Sequence, residues 1–413
     1  MTATSTLDDE LAALLRRDPA LLADPYPLYH RLRAEAPIYR RGAGVGNWTL
    51  TRYADVAAAL RDPRFSADRN YADRRAPRVA RLAEPERSQF LALQHLETSS
   101  MLTTDAPDHG RLRGLAHQAF TPRMVERLRG RIQARTDDLI DRVISAGRMD
   151  IIADLAYPLP VNVIADMVGV PAADRGRLRR WAAAFETFLD GLAGVEENYR
   201  ATLEFHDYLR ELIAAHRANP QDDLLSALVA AEAGGDRFTE EEILVTCTLL
   251  LNAGHVTTTN LIGNGLLALL HHPDQLRLLR DDPSLLPAAV DEVLRYESPV
   301  QFTARTATTD VELGGALIRR GDLVKLMLGA ANRDPAQFAD PDRFDITRQE
   351  SRHLAFGLGP HFCLGSALAR LEGQIVLGTL LRRLPGLRLT TDQVEYRPNL
   401  AFHGLAALPL TWG

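Results

Sequence analysis

The chain is 413 residues long, with 46% hydrophobic and 25% charged residues and a net charge of −6, a balance that allows a large buried core and excludes a disordered chain. The mild acidity gives no basis for nucleic acid or an anionic membrane as the main partner. Only two cysteines occur, Cys247 and Cys363, far apart in sequence, so a disulfide framework is not expected and a reducing, cytoplasmic compartment fits. Near the start stand Asp8, Asp9 and Glu10, without the basic residues and apolar run of a secretory leader. All of the basic residues except Lys325 are arginine.

In chain order, short β-branched or aromatic runs near 37–41 and 47–51 predict small strands. The string Asp105-Ala-Pro-Asp108-His-Gly-Arg-Leu-Arg113 predicts a helix that Asp108 caps, with His109 and Arg113 four apart on one face. Apolar residues at three- and four-residue spacing predict helices over 123–146, 174–190 and 199–217. Thr239 and Glu242 form a capping box, and no proline follows until Pro273; such a helix is about 45–50 Å long at 1.5 Å per residue. Its 243–254 stretch is apolar on almost every face, but Asn252, His255, three threonines, Asn260 and Asn264 interrupt the run. A central core helix is therefore expected, not a membrane span. Glu292 and Arg295 share a helix face, a Gly-Gly-punctuated pair near 311–326 reads as a hairpin, and a last helix covers 366–384. The fold class is mainly α with small β-sheets. No repeat or linker divides the sequence, so residues 1–413 read as a single domain with a long central helix.

The densest chemical signal is Phe356-Gly357-Leu358-Gly359-Pro360-His361-Phe362-Cys363-Leu364-Gly365, followed at once by a helical pattern. A lone cysteine is more often a small buried hydrophobe than a ligand. Here the glycines and the helix start deliver it to a helix N-terminus, where the dipole and backbone N–H groups favour the thiolate, the form that binds iron. Gly357 and Gly359 permit a tight path, Gly365 lets a flat ligand approach, and Phe356 is placed to pack beside it.

This block resembles the haem-binding loop of the cytochrome P-450 family, Phe-Gly-x-Gly-x-His-x-Cys-x-Gly, and matches it at every specified position. The resemblance implies that Cys363 is the axial thiolate of haem b, iron protoporphyrin IX, and that the chain is a haem-thiolate monooxygenase. Around the loop, Glu292, Arg295 and Arg343 resemble the family's ExxR helix and meander and are implied to form a buried structural triad. By the same resemblance His109, Arg113, Arg305 and His361 hold the haem propionates.

In the long helix, Ala253-Gly254-His255-Val256-Thr257-Thr258 resembles the family's oxygen-binding groove. Gly254 and Thr257 are implied to act where dioxygen is activated, Thr257 relaying protons. The usual acidic position is Val256. Proton delivery is then expected through His255, ordered water or a polar group of the substrate, or else the chemistry is oxidative coupling or ring formation, not simple hydroxylation.

The implied substrate is a mid-sized hydrophobic molecule of bacterial secondary metabolism, oxidised with O2. Its binding segments are the loop around 85–104, residues near 185–203, Leu250 to Ala253, Val300 to Thr303, and Leu400 to His403, with Gln301, Phe302 and Phe402 as contacts. Without a further Cys cluster or dinucleotide motif, electrons are expected from a ferredoxin and its NAD(P)H-dependent reductase, docking on the Arg-rich stretch 111–135. A monomer is expected. A peroxide-driven enzyme, or a haem-containing binding or sensing protein, would share most of these motifs; Thr257 speaks against both.

Overall fold

The computed structural model describes residues 6–41, 47–68, 79–189, 194–233, 235–349, 351–391 and 393–413. They group into two compact units: residues 1–66, 133–157 and 257–413, and residues 67–132 and 158–256. The helix Glu240–His271 contributes residues to both.

The first unit holds a five-stranded sheet in the order Ile38–Arg41, Asn47–Leu50, Leu323–Met327, Phe302–Ala307, Phe65–Ser66. All neighbours are antiparallel except Leu323–Met327 beside Asn47–Leu50. Side chains alternate across a strand, and both faces are used. Trp48, Leu50, Val324 and Leu326 pack with Val56 and Leu60 of the helix Tyr53–Arg61, while Met327 and Phe302 pack with Tyr26, Tyr29 and Leu32 of the helix Tyr26–Glu35. The expected hairpin is present as Val311–Leu313 and Ala316–Ile318. Gly314 and Gly315 both take positive φ, 56° and 82°, the backbone a two-residue hairpin turn requires. The next strand, Leu323–Met327, leaves the hairpin and joins the five-stranded sheet. A three-stranded antiparallel sheet is built from Arg388–Leu389, Pro409–Thr411 and Arg148–Asp150.

Helix Leu286–Tyr296 lies against helix Ser366–Arg383 at close range. A Cβ on Gly373 would stand 3.3 Å from Val290 and one on Gly378 2.8 Å from Leu286, so the small residues set how near the two helices come. That packing fixes the helix that leads out of the cysteine loop.

The second unit is mainly helical: Glu86–Thr98, Asp108–Ala119, Pro122–Arg127, Pro158–Val168, Arg175–Leu189, Val195–Ala218 and Leu224–Ala230, with two short antiparallel strands, Glu232–Ala233 and Asp236–Arg237. Trp181 centres one cluster, its ring 5.2 Å from Phe205 and 5.5 Å from Tyr208. Phe90, Leu93 and Val195 form another. The expected helix 123–146 is interrupted: Pro122–Arg127 stops at Leu128, Arg129–Asp141 follows, and a short turn Ile144–Ala146 ends at Gly147 with φ 64°. The long helix starts as expected, with the Thr239 N–H donating to Glu242 Oε2 at 2.8 Å and the Glu242 N–H to Thr239 Oγ1 at 3.2 Å. Among the described residues no helix is long and apolar enough to cross a membrane.

Candidate active site

Helix Ser366–Arg383 begins at Gly365, and no side chain caps its first turn, which leaves the positive end of the helix dipole facing the preceding residues. Cys363 stands there, half-buried, its N–H donating to the Phe356 carbonyl at 2.9 Å and closing the loop. Gly359 has φ 75°, and a Cβ on it would stand 2.7 Å from the Leu60 carbonyl oxygen, so this position rejects any other residue on two grounds. At Gly365 a Cβ would stand 4.0 Å from Cys363 Sγ, with no nearer neighbour among the described residues. The glycine thus leaves space beside the sulfur that packing within the chain does not require. Cys247 differs in every respect: it is 1% exposed, and burial pushes its thiol up to about 12. Of the two sulfurs, Cys363 has the surroundings of a ligand.

Beneath the loop, Glu292 and Arg295 are 1% and 0% exposed. The guanidinium meets the carboxylate through two bonds of 2.7 Å. Its other N–H groups donate to the carbonyls of Asn332 at 3.0 Å, Pro341 at 2.7 Å and Arg343 at 3.1 Å, so the buried charge is fully surrounded by partners. The expected third member is corrected. The Arg343 side chain is 65% exposed and lies near Asp345, while Arg348, 14% exposed, brings its Nε to 3.3 Å from Glu292 Oε2. The meander turn from Asp340, which has φ 45°, sends the 343 side chain outward and leaves only its carbonyl for Arg295.

In the second unit His109 is buried at 6% exposure, and Arg113 one turn later donates from Nε to His117 Nε2 at 3.2 Å. Burial and the Arg113 charge hold the His117 imidazole below its ordinary value. Asp108 is not the cap expected of it: Pro107 takes that position, with no side-chain bond, and Asp108 is the first helical residue. In the first unit Arg305, 8% exposed on strand Phe302–Ala307, donates from Nη1 to Thr303 Oγ1 at 3.2 Å and to the Ala304 carbonyl at 2.8 Å. His361 ends the short turn Gly359–His361 and is half-buried.

Along the long helix, Leu251, His255, Val256, Thr258 and Thr259 are buried, whereas Ala253 is exposed and Gly254 and Thr257 are half-buried. Gly254 also answers a packing demand, since a Cβ there would stand 3.2 Å from Ile164 Cδ1. Thr259 donates to the Ala156 carbonyl at 3.0 Å, the structural fate of a buried helical hydroxyl.

The family model for cytochrome P-450 matches residues 192–282 and 278–395. The chain is 46% identical over 409 residues to cytochrome P-450 107B1 of Saccharopolyspora erythraea, covering 98% of this chain and 99% of that protein. It is also 46% identical over 398 residues to the cytochrome P-450 monooxygenase PikC of Streptomyces venezuelae, covering 94% and 91%. Among solved structures, P-450 BioI in complex with acyl carrier protein ligated to hexadec-9Z-enoic acid superposes with a TM-score of 0.86 at 42% identity, covering 96% of this chain and 99% of that one. The chain belongs to the cytochrome P-450 family. It is a monooxygenase of the haem-thiolate type, in which a cysteine ligates the haem iron, and the family works with redox partners. The half-buried Cys363 and the space at Gly365 fit that cofactor.

The surroundings of three further candidates can be stated in this cytochrome P-450. Gln301 is 3% exposed, donates from Nε2 to the Ser298 carbonyl at 2.8 Å and packs against Gly329, so its side chain meets an internal demand of the first unit. Phe302 lies over Lys325, with Nζ 5.4 Å from its ring, on the sheet face covered by helix Tyr26–Glu35. His255 is 1% exposed, and burial lowers its imidazole to about 4; at neutral pH it is an uncharged ring that can pass a proton on but does not store one. Phe402 is half-buried and pairs with Val300. Of the expected segment 185–203, residues 190–193 lie outside the described residues. Sequence reasoning missed Arg348, since no helical or strand periodicity marks a residue in the meander.

Proposed function

We propose that Cys363 is the axial thiolate of haem b, and that this protein oxidises a mid-sized hydrophobic substrate of bacterial secondary metabolism with O2 and electrons from a ferredoxin and its NAD(P)H-dependent reductase. The observation that carries this is the contrast between the two cysteines: one half-buried before an uncapped helix, the other sealed. Haem bound through a thiolate supplies the activation of dioxygen, the sulfur favouring O–O cleavage. The remaining roles belong to the chain. By resemblance to the family, His109, Arg113, Arg305 and His361 are assigned the propionates through charge-assisted hydrogen bonds. Ala253 and Gly254 keep bulk away from the middle of the long helix, and Thr257 holds and passes a proton through its hydroxyl. Val256 is buried and carries no acid, and His255 is neutral. The proton source for turnover is then water or a polar group of the substrate itself.

The hydrophobic class is supported by the fatty acyl chain on the carrier protein of the P-450 BioI complex. Arg123 and Arg131 are exposed in the arginine-rich stretch 111–135, a surface suited to an acidic ferredoxin; reduction by it slows as salt rises.

The test is the absorption spectrum of the purified protein during addition of apolar and polycyclic compounds. Thiolate-haem bands in the wild type, their loss in Cys363→Ser, and a spin-state shift with one compound are expected. Haem bands that persist unchanged in Cys363→Ser would overturn the assignment.

A further inference from the structure

Asp291 immediately precedes Glu292 on helix Leu286–Tyr296, so it points about 100° away from the buried pair. Its carboxylate meets helix Ser366–Arg383, where Arg370 Nε donates to Asp291 Oδ1 at 2.7 Å. His353 reaches the same oxygen. Its Nδ1 accepts the Ala355 N–H at 3.2 Å, which places the ring proton on Nε2, 3.5 Å from Asp291 Oδ1. Burial raises the Asp291 carboxyl, but the His353 and Arg370 hydrogen bonds outweigh it and hold the group below its ordinary value.

Both partners of Asp291 also touch Phe356. The Arg370 guanidinium lies 4.6 Å from the centre of the Phe356 ring, and the His353 ring 5.8 Å from it. The Phe356 carbonyl accepts the Cys363 N–H at 2.9 Å, and its ring meets that of Phe362 edge-on at 6.3 Å. A continuous line of contacts therefore runs from Asp291 through Arg370 and His353 to Phe356 and the cysteine loop. The Asp291 and Arg370 side chains are 31% and 30% exposed, and a pair so open to solvent adds little to stability. Its stacking on Phe356 gives it another use.

We propose that Asp291, Arg370 and His353 form a bracket of positioning residues that orients Phe356 and balances the charge beside the Cys363 ligand. The inference rests on the assignment of haem to Cys363. Reduction adds an electron at that centre, so a nearby positive charge favours it and a negative one opposes it. Asp291→Asn leaves Arg370 uncompensated and shifts the ferric-to-ferrous equilibrium toward the reduced form. Arg370→Gln leaves Asp291 uncompensated and shifts it the other way. Each change is on the order of threefold, or about 28 mV at 59 mV per tenfold for one electron. The double variant returns close to wild type, and Arg370→Lys, which keeps the charge but not the flat stacking surface, holds the potential while broadening the absorption of the ferrous carbon monoxide complex.

The experiment is a reductive titration of the haem-loaded wild type and these four variants, with thermal melting alongside. Opposite shifts that cancel in the double variant support the bracket. Shifts of the same sign, no shift, or changes that merely follow the loss of melting temperature overturn it and leave the Cys363 assignment standing. A wild type without thiolate-haem bands overturns that assignment first, and the bracket with it.

Discussion

The helices Val195–Ala218 and Leu286–Tyr296 each join an acid to the arginine three residues later, and the two pairs do different things. In Val195–Ala218, Arg210 meets Asp207 at 2.6 Å with side chains 50% and 75% exposed. In Leu286–Tyr296, Arg295 meets Glu292 at nearly the same distance, 2.7 Å, with side chains 0% and 1% exposed. Spacing, order of charge and bond length agree; the surroundings do not. Water solvates the first pair whether or not its members touch. The second has given up its water and depends on a full set of protein partners, among them the carbonyls of Asn332, Pro341 and Arg343. Removing one member there leaves a charge with nothing to face.

Breaking the buried pair is expected to have the largest effect. Glu292→Gln or Arg295→Ala should cost about 3–5 kcal/mol, a large part of the about 5–15 kcal/mol that holds a domain folded. Soluble yield and haem absorbance per mole of protein should both collapse, and a haem-replete Glu292→Gln protein with an unchanged denaturation midpoint would contradict the account.

Acid acts on the interior through buried groups kept uncharged. Burial lowers the imidazoles of His206 and His255 to about 4, and His206 Nε2 bonds Thr248 Oγ1 at 3.0 Å. Above pH 6.5 neither the folded nor the unfolded chain binds these protons, and burial carries no penalty. Between pH 6.5 and about 4 the unfolded chain binds protons that the folded one refuses, so stability falls as pH falls, by up to about 3 kcal/mol for each group. His206→Gln keeps a donor for Thr248 without titrating. Its denaturation midpoint should drop less steeply than that of the wild type over this window.

A smaller effect separates the two meander arginines. Arg348→Ala, which strips a donor from Glu292, should cost about 1–3 kcal/mol, whereas Arg343→Gln should stay within about 0.5 kcal/mol because its side chain is exposed and reaches only Asp345. Equal losses for the two would restore Arg343 to the triad. Smallest of all, Asp207→Asn should shift stability by less than about 0.5 kcal/mol, and less again in high salt.

The elements with a period or a specified motif were legible in the sequence. The capping box at Thr239 and Glu242, the Gly314-Gly315 hairpin and the cysteine loop could be read because each needs particular residue types at fixed offsets. What escaped depended on irregular backbone. No spacing rule says that the turn after Asp340 sends Arg343 outward and brings Arg348 back to Glu292. Nor does any local pattern join Asp291 to Arg370, 79 positions away. Gln301 looked like a pocket residue for a related reason. A polar residue in an apolar stretch serves equally well to satisfy a buried carbonyl, here that of Ser298, and only the fold distinguishes the two uses.

The close approach of Gly359 to the Leu60 carbonyl also bears on the order in which the protein is made. The unit that carries the cysteine is assembled from residues 1–66, 133–157 and 257–413, so its first strands and helices leave the ribosome long before the segments they pack against. For most of synthesis the apolar side chains of Trp48, Leu50, Val56 and Leu60 await partners such as Val324 and Leu326, a long exposure of the kind that chaperones shield. A nascent chain halted before residue 323 lacks the strand that joins Asn47–Leu50 to Phe302–Ala307.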